Sequence, residues 1–268
     1  MLEVRRRDTG VVVLALDAPS LAGARLAHAV LTYAELPGMD LTGADLRSAD
    51  LCSANLAGAR LEGADLRDAD LSGASLAGAS FAGARLTNAR LLGTDLTGTS
   101  FRRADLTRTS FKLAYVTGAG PGFQDARLPR ASLDHTTLPG SDFAGADLTE
   151  ANLRAAVLRN ASLRGASLHA ALLEGTDLGG ASLAHADLTY AILHHATLTG
   201  ADFSEATFGH TVLADCPTLA AACGLDLTAH RADSTFDVAT LAAIGAALPP
   251  AFLEAAGLGT DLLTRLLG

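Results

Sequence analysis

Residues 41–70 read LTGADLRSADLCSANLAGARLEGADLRDAD, with a leucine at every fifth position. The same spacing of a large apolar residue begins at Leu21 and continues without a miss to Val116. It resumes at Phe123 and continues to Leu213. A small residue, usually alanine, precedes most of these anchors by two positions. Because a period of five fits neither a helix nor a strand, the chain is predicted to turn once in every five residues.

The period predicts a regular solenoid. Four such turns close a coil of about 20 residues, with the large anchors on its axis and the alanines where a larger side chain would collide. Stacked coils pair their backbones like strands at roughly 4.8 Å, so the repeats predict about ten coils and a rod about 45 Å long. Apolar residues make up 49% of the chain but aromatic residues only 4%, which indicates a repetitive interior of leucine and alanine.

The repeat units resemble those of a known family. Ala44–Ser48 (ADLRS) and Ala64–Asp68 (ADLRD) match the A(D/N)LXX motif of the pentapeptide-repeat family, and the resemblance covers residues 21–214. It implies an all-β solenoid, a right-handed quadrilateral β-helix. Function does not follow from the fold, because one fold hosts many functions.

The chain divides into five segments. They are an N-terminal β cap (1–20), a first block of repeats (21–116), a phase break (117–122), a second block (123–214) and a C-terminal helical module (215–268). In the cap, two short strands are predicted to pair across a turn at Asp8, Thr9 and Gly10. A solenoid needs such caps, since its exposed end coils would otherwise pair with other chains.

The phase break is rich in glycine and contains Pro121. Seven residues instead of five separate Val116 from Phe123. The insertion is either a bulge that the coil tolerates or a recognition loop, since loops on solenoids often carry binding. Its shortness favours the bulge.

The C-terminal segment is predicted to be helical from three stretches. Residues 217–223 form the first and residues 237–248 the second, with Ser234 as a candidate N-cap; Phe252, Leu253 and residues 258–267 continue the pattern. The segment is also similar to the tail that follows pentapeptide repeats in many bacterial proteins. The matching residues are Gly224, Leu225, His230, Ser234, Thr240, Leu241, Leu248, Pro249, Phe252, Leu253, Gly257 and Leu258.

Leu172, Ile192 and Val212 form an apolar stripe on the outer wall. Each stands just before an anchor, and they are spaced by one coil, so they align on one face. Outward aliphatic side chains in a row need a cover. Either the C-terminal helices or a second subunit would supply it, and we favour the helices. In either case the C-terminal helices could also form a homodimer, and the resemblance supports this because C-terminal elements dimerise several members of the family.

Charge and cysteine content restrict the partners. The formal net charge is −9, which argues against direct binding to nucleic acid or to anionic membranes and suits a basic protein partner. The three cysteines, Cys52, Cys216 and Cys223, suit a reducing compartment. Cys216 and Cys223 are interpreted as small buried side chains. No contiguous apolar run is long enough to span a bilayer, so a cytoplasmic protein is expected.

No catalytic, cofactor or metal site is expected. The aspartates and serines occupy repeat positions and have no cleft that would shift their pKa values. His194 and His195 are the only adjacent histidines, and on the coil the histidines do not stack into a metal-binding set. The histidines are His28, His135, His169, His185, His194, His195, His210 and His230.

The family resemblance implies one specific function. Some pentapeptide-repeat proteins imitate the shape and charge of DNA, engage DNA gyrase and protect against topoisomerase poisons. An acidic rod of duplex-like width can occupy a basic DNA-binding groove. The aspartates that precede the anchors would form acidic columns along the rod, but Arg60, Arg85 and Arg90 interrupt them. The alternative function is a general scaffold or regulatory module of a bacterial defence or signalling system. The candidate partner-binding acids are Asp40, Asp45, Asp50, Asp65, Asp70, Asp95, Asp105, Asp142 and Asp147.

Overall fold

The computed structural model describes residues 2–244 and 247–258. Its repeats form a four-sided solenoid. On each side, one residue of every coil pairs in parallel with the equivalent residue of the next coil. The first wall begins at Arg25, the second at Val30, the third at Glu35 and the fourth at Asp40. In the first wall, the N–H of Asp65 donates to the carbonyl of Ala44 at 2.9 Å. The walls therefore satisfy the backbone as a parallel sheet does.

A tight turn forms each corner. The carbonyl of Leu41 accepts the N–H of Ala44 at 2.9 Å, and Gly43 between them has a φ of 64°. A positive φ at the third residue is what a type II turn requires. The same position holds Ser48 (φ 54°) and Asp68 (φ 61°), where a side chain in the left-handed region costs roughly 1–2 kcal/mol. Each corner is tied to the next coil, as Gly43 N–H donates to Glu62 O at 2.9 Å.

The core is a single column of anchors along the axis. The leucine and phenylalanine anchors from Leu36 to Phe111 and from Phe123 to Leu213 are fully buried, and so is each alanine between them in the middle coils. Four phenylalanines on one side form a ladder, with ring centroids 5.1 Å apart from Phe81 to Phe101, 5.1 Å from Phe101 to Phe123 and 4.5 Å from Phe123 to Phe143. Phe111 meets this ladder edge-on.

Threonine replaces alanine at several interior positions. Each buried hydroxyl donates to a backbone carbonyl, for example Thr99 to Leu76 at 2.9 Å and Thr109 to Leu86 at 2.8 Å. A buried hydroxyl without such a partner would be destabilising. The substitutions are therefore compatible with the core because the coil supplies an acceptor.

The phase break is a bulge within one coil. Ser100 pairs with Gly122, whereas Gly122 pairs with Asp142, so the walls remain in register and the extra two residues lie in a single coil. The inserted segment is bonded to the coil before it, since Thr117 N–H donates to Thr97 Oγ1 at 2.9 Å. Pro121 is buried at the position that alanine usually takes. Of the two interpretations of this segment, the bulge describes it better.

The N-terminal end is covered by a hairpin. Strand β1 (Leu2–Arg5) pairs antiparallel with β2 (Val12–Leu16), as the sequence predicts. Val4 is 1% exposed, and the hairpin joins the solenoid where Glu35 N–H donates to Arg5 O at 2.8 Å.

The C-terminal segment differs from the helical prediction. Strand β3 (Thr207–Phe208) pairs in parallel with β5 (Ala229–His230). Strand β4 (Val212–Leu213) pairs in parallel with β6 (Thr235–Phe236). The walls thus continue beyond residue 214, which the sequence placed at the end of the repeats. Where a helix was predicted over 217–223, the chain forms a short 3₁₀ turn at Leu219–Ala221. A second such turn spans Leu225–Leu227.

Two short helices follow these strands. Helix α1 spans Val238–Ile244 and α2 spans Pro250–Ala255. Asp237, not Ser234, caps α1, because its Oδ1 accepts the N–H of Thr240 at 3.0 Å. The predicted helical continuation over residues 259–267 lies outside the described residues. None of the helices in the described ranges has the length and apolar run needed to cross a bilayer.

Helix α2 closes the C-terminal end of the core. Phe252 is 1% exposed, and its ring lies 5.7 Å from that of Phe208, 5.2 Å from His230 and 6.0 Å from Phe236. The helix therefore supplies an apolar lid over the last anchors, and the core does not end on an exposed coil.

Candidate functional site

The candidate acidic residues are distributed over all four walls. Asp45 stacks on Asp65 in the first wall, and Asp50 stacks on Asp70 in the second. The first wall then continues with Arg85 between Asp65 and Asp105. The structure brings these two pairs together and separates the remaining acids. Asp105 and Asp147 lie in the first wall, Asp95 in the third, and Asp40 and Asp142 in the fourth.

The aspartates have a structural role in the corners. Asp70 Oδ1 accepts the N–H of Ser72 at 2.9 Å, Asp95 Oδ1 that of Thr97 at 3.0 Å, and Asp142 Oδ1 that of Ala144 at 3.0 Å. This is the Asx-turn contact, which holds the backbone in the turn. Aspartate or asparagine before the anchor is therefore explained by the fold alone.

Arginines compensate many of these carboxylates. Arg47 Nη2 lies 2.7 Å from Asp45 Oδ2, and Arg67 Nη2 lies 2.6 Å from Asp65 Oδ2. The hydrogen bond from Arg47 lowers the pKa of Asp45 to about 2, so this carboxylate is ionised but locally neutralised. Looser pairs join Arg60 to Asp40 at 3.8 Å and Arg90 to Asp70 at 3.5 Å.

The net charge density is far below that of DNA. Duplex DNA carries one negative charge per roughly 1.7 Å of axis. The solenoid segment, residues 21–214, contains 20 acidic and 15 basic residues, a net charge of −5, and along a rod of about 45 Å this gives one net charge per roughly 9 Å. With arginines interleaved in the columns, the surface is a mixture of both signs rather than a continuous track of anions.

The apolar stripe is stacked as predicted, but its cover differs. Leu172, Ile192 and Val212 are successive residues of the second wall, and Thr235 of β6 is next in the column. The tail thus extends this wall, and the described helix α2 packs on the end of the core. Ile192 remains 36% exposed. The favoured helical cover is not what the described residues show, and cover by a second subunit stays a prediction.

A cleft that the sequence analysis missed lies on the corner next to the first wall. Tyr190 is 53% exposed and stands between two histidine rings, with centroids 5.3 Å away for His169 and 4.9 Å away for His210. Arg231 lies at the cleft, its Nη1 3.7 Å from Asp187 Oδ2. The cleft has a volume of about 260 Å³. In the sequence, Tyr190 and His210 are separated by the length of one coil, and this spacing could have indicated that their side chains stack.

The cysteines are three free thiols. Burial, with nearby Asp50 and Asp70, raises the pKa of Cys52 to about 12. Burial likewise raises the pKa of Cys216 to about 11. Cys223 is exposed, contrary to its interpretation as a buried side chain, because it pairs with Asp202 at an outward-facing position of the fourth wall. Cys52 and Cys216 are therefore unreactive thiols near neutral pH.

His194 and His195 are close to acidic residues from neighbouring coils. His194 lies one coil above Glu174, and Asp215 lies one coil above His195, so a corner collects all four side chains. The histidines alone do not stack into such a set, which is why none was expected from the sequence. Including acidic residues one coil away would have revealed it.

Comparisons with known proteins agree on the family. The family model for pentapeptide repeats matches residues 16–47, 44–81, 74–112, 126–165 and 166–204. One similar solved structure is HetL, a pentapeptide repeat protein involved in heterocyst differentiation regulation from the cyanobacterium Nostoc. The two chains are 32% identical, and the alignment covers 66% of this chain and 91% of HetL with a TM-score of 0.46.

Two further structures are more distant. QnrB1, a plasmid-mediated fluoroquinolone resistance protein, is 16% identical, with 80% of this chain and 93% of QnrB1 covered and a TM-score of 0.42. A pentapeptide repeat protein from the Arabidopsis thaliana thylakoid lumen is 30% identical over 42% of this chain and 68% of its own, with a TM-score of 0.23. No curated protein sequence matches the chain significantly.

Proposed function

Because the chain belongs to the pentapeptide-repeat family, whose fold is the right-handed quadrilateral β-helix, we propose that it is a non-catalytic protein-binding solenoid of the cytoplasm. The observation that carries this proposal is the Tyr190 cleft. The anchors fill the interior, so a partner contacts the outward side chains of the coils. The free thiols support a reducing compartment.

The cleft has the composition of a protein-binding hot spot. Tyrosine and arginine are enriched among residues that dominate binding energy, and here Tyr190 and Arg231 border the same depression. The backbone of Tyr190 is held in place, since its N–H donates to Gly209 O at 2.8 Å. A rigid, half-exposed aromatic side chain loses little conformational entropy on binding.

Site-specific photocrosslinking tests this surface. A benzophenone amino acid at position 190 should crosslink to one discrete partner in cells, and Tyr190→Ala protein added in excess should compete less well than wild type. Asn88 occupies the equivalent corner position, with a φ of 61°, and serves as the matched control. Equal crosslinking from positions 88 and 190 would reject the Tyr190 cleft as the binding surface.

The narrower proposal is a DNA-mimicking ligand of DNA gyrase that protects against topoisomerase poisons. It is supported by the family resemblance and by the stacking of Asp45 on Asp65 and of Asp50 on Asp70. The interleaved arginines weigh against it, so we rank it second to a scaffold or regulatory role in a defence or signalling system.

A gyrase supercoiling assay, with and without a fluoroquinolone, separates these two functions. Mimicry predicts dose-dependent inhibition or relief of drug-induced cleavage. Changing Asp45, Asp50, Asp65 and Asp70 to asparagine should abolish the effect, because asparagine keeps the turn acceptor and removes the charge. Arg85→Gln should strengthen it. If wild-type protein has no effect at a large molar excess, gyrase mimicry is rejected and the scaffold role remains.

Homodimerisation through the C-terminal segment is part of the proposal. Leu227 is 57% exposed and Val238 is 71% exposed, and exposed aliphatic side chains of this kind favour association. Light scattering after size exclusion should give a dimer for the wild type and a monomer for the variant with Leu227→Asp and Val238→Asp. A monomeric wild type would contradict this part of the proposal.

A further inference from the structure

Three stacked corners at the C-terminal end bring four potential ligands together. Glu174, His194, His195 and Asp215 come from the turns that follow the anchors Leu173, Leu193 and Leu213. Both ring nitrogens nearest Asp215, His194 Nε2 and His195 Nδ1, lie 3.6 Å from the same oxygen, Asp215 Oδ2. The two imidazole rings are tilted by 38° relative to each other, with centroids 3.9 Å apart.

These distances suit ligands that share one ion. At 3.6 Å the nitrogen–oxygen separations exceed the 2.7–3.2 Å range of N–H···O hydrogen bonds. Two ligands of a tetrahedral zinc ion, each about 2.0–2.1 Å from the metal, lie about 3.3 Å apart. A shift of a few tenths of an ångström would therefore bring Asp215 Oδ2 to coordination distance with each nitrogen, and all three ligand atoms lie within 4.8 Å of one another.

Glu174 occupies the supporting position for this arrangement. Its Oε1 lies 3.7 Å from His194 Nδ1, the ring nitrogen opposite the one that faces Asp215. A histidine that binds a metal through one nitrogen usually donates its other N–H to a carboxylate, which fixes the ring and raises its basicity. Glu174 is placed to accept that hydrogen bond from His194.

The backbone already holds the ligand residues in place. His195 N–H donates to Ala214 O at 2.9 Å, and Gly175 N–H donates to His194 O at 2.7 Å. Asp215 N–H donates to Asp237 Oδ1 at 3.1 Å. Because the backbone of the three corners is fixed by the coils themselves, only side-chain entropy is lost when an ion binds.

We propose that His194 Nε2, His195 Nδ1 and Asp215 Oδ2 form a binding site for a late first-row divalent cation such as Zn²⁺, with Glu174 positioning His194. Imidazole nitrogen and carboxylate oxygen are ligands that zinc takes in proteins. Three protein ligands leave the fourth tetrahedral position for water or for a donor atom from another molecule. The ion would tie the start of the C-terminal tail to the coil before it.

Titration of chelator-treated protein with Zn²⁺ in a calorimeter tests the proposal. The background carries Cys223→Ser, because an exposed thiol binds zinc by itself. One ion should bind per chain. His195→Ala and Asp215→Asn should each weaken binding at least about tenfold, and Glu174→Gln should weaken it about 10- to 100-fold. Added Zn²⁺ should also raise the melting temperature of the parent protein and not that of Asp215→Asn.

A second histidine–carboxylate pair supplies the matched control. His185 Nδ1 lies 3.2 Å from Glu205 Oε2 on another corner, where the pair offers one imidazole only. His185→Ala should leave zinc affinity unchanged. Circular dichroism confirms that each variant is folded. No zinc binding by the parent protein, or binding that Asp215→Asn and His195→Ala retain in full, would overturn the site and leave these contacts as ordinary ion pairs.

Discussion

At the scale of the residue, each motif position has one physical cause. The anchor is large because it alone fills the axis, and the residue two before it is small because its Cβ points into the same space. Ala64 illustrates the limit, since it is fully buried between the coils. Interiors are close-packed, so a side chain added there must displace its neighbours.

Ala64→Leu tests the inward assignment. We expect a loss of about 1–3 kcal/mol in the free energy of unfolding, because the larger side chain overpacks the coil. Ala22→Leu makes the same change at an exposed turn position and should be nearly neutral. Melting followed by circular dichroism gives both values. Equal transitions for Ala64→Leu and wild type would show that this alanine does not face the core.

The turn carboxylates predict how stability depends on pH. The hydrogen bond from Arg6 lowers the pKa of Asp8 to about 2, and that from Arg47 does the same for Asp45. Their unfolded pKa is about 3.9. Because the folded value is lower, the contribution to stability is complete above the unfolded pKa and is lost as pH falls through the folded pKa.

The urea midpoint should therefore be lower at about pH 2.5 than at about pH 5. Asp45→Asn keeps the turn acceptor for the Arg47 N–H but has no titrating group, so its midpoint should depend less on pH in this window. A midpoint that rises as the pH falls toward 2 would contradict the sign of the effect.

At the scale of the element, the bulge coil depends on one glycine. A Cβ at Gly120 would lie 2.6 Å from the carbonyl carbon of Gly140 and 2.6 Å from the backbone nitrogen of Ser141. Backbone atoms of the next coil cannot move aside cheaply. At Gly118 a Cβ would meet only the Thr97 side chain, at 3.2 Å.

Gly120→Ala should thus destabilise the protein, by about 1–3 kcal/mol as for other overpacked sites. Gly118→Ala, two residues away in the same bulge, should cost much less. Chemical denaturation compares the two variants directly. If both substitutions have the same small effect, the backbone of the bulge does not approach the next coil as closely as described.

The sequence predicted the repeat coils because their contacts recur at a fixed interval. Asp45 and Asp65, or Leu172 and Ile192, could be aligned by counting alone. The tail could not, because His230 pairs with Phe208 and Thr235 with Val212, after an insertion that breaks the count. Strands of two residues carry no period of their own, so the apolar residues around them were interpreted as helical.

At the scale of the whole molecule, the solenoid is a one-dimensional stack. Each interior coil is stabilised by two neighbours and each terminal coil by one coil and its cap. The phenylalanine ladder from Phe81 to Phe143 adds aromatic contacts to the middle of the stack. Stability should therefore decrease from the centre toward both ends.

Hydrogen exchange followed by mass spectrometry measures this gradient. Wall amides between residues 81 and 143 should exchange most slowly, and those of residues 21–36 and 219–236 most rapidly, since local opening is easiest where fewest neighbours are lost. Phe252→Ala should accelerate exchange at the C-terminal end and leave the N-terminal coils unchanged. Uniform protection along the rod would indicate that the chain unfolds as a single unit.

The coil of 22 residues, formed where Ser100 pairs with Gly122, has a consequence for heredity. Elsewhere in the repeats, a gene duplication or deletion that adds or removes the codons of one whole coil preserves both the reading frame and the register of the walls. The length of the rod can therefore change easily during evolution. The longer coil is different, because a 20-residue duplication or deletion that includes part of it shifts the walls by two residues. The longer coil is therefore one distinguishable level in an otherwise repetitive rod. A binding partner that contacts it would always bind at the same position along the rod.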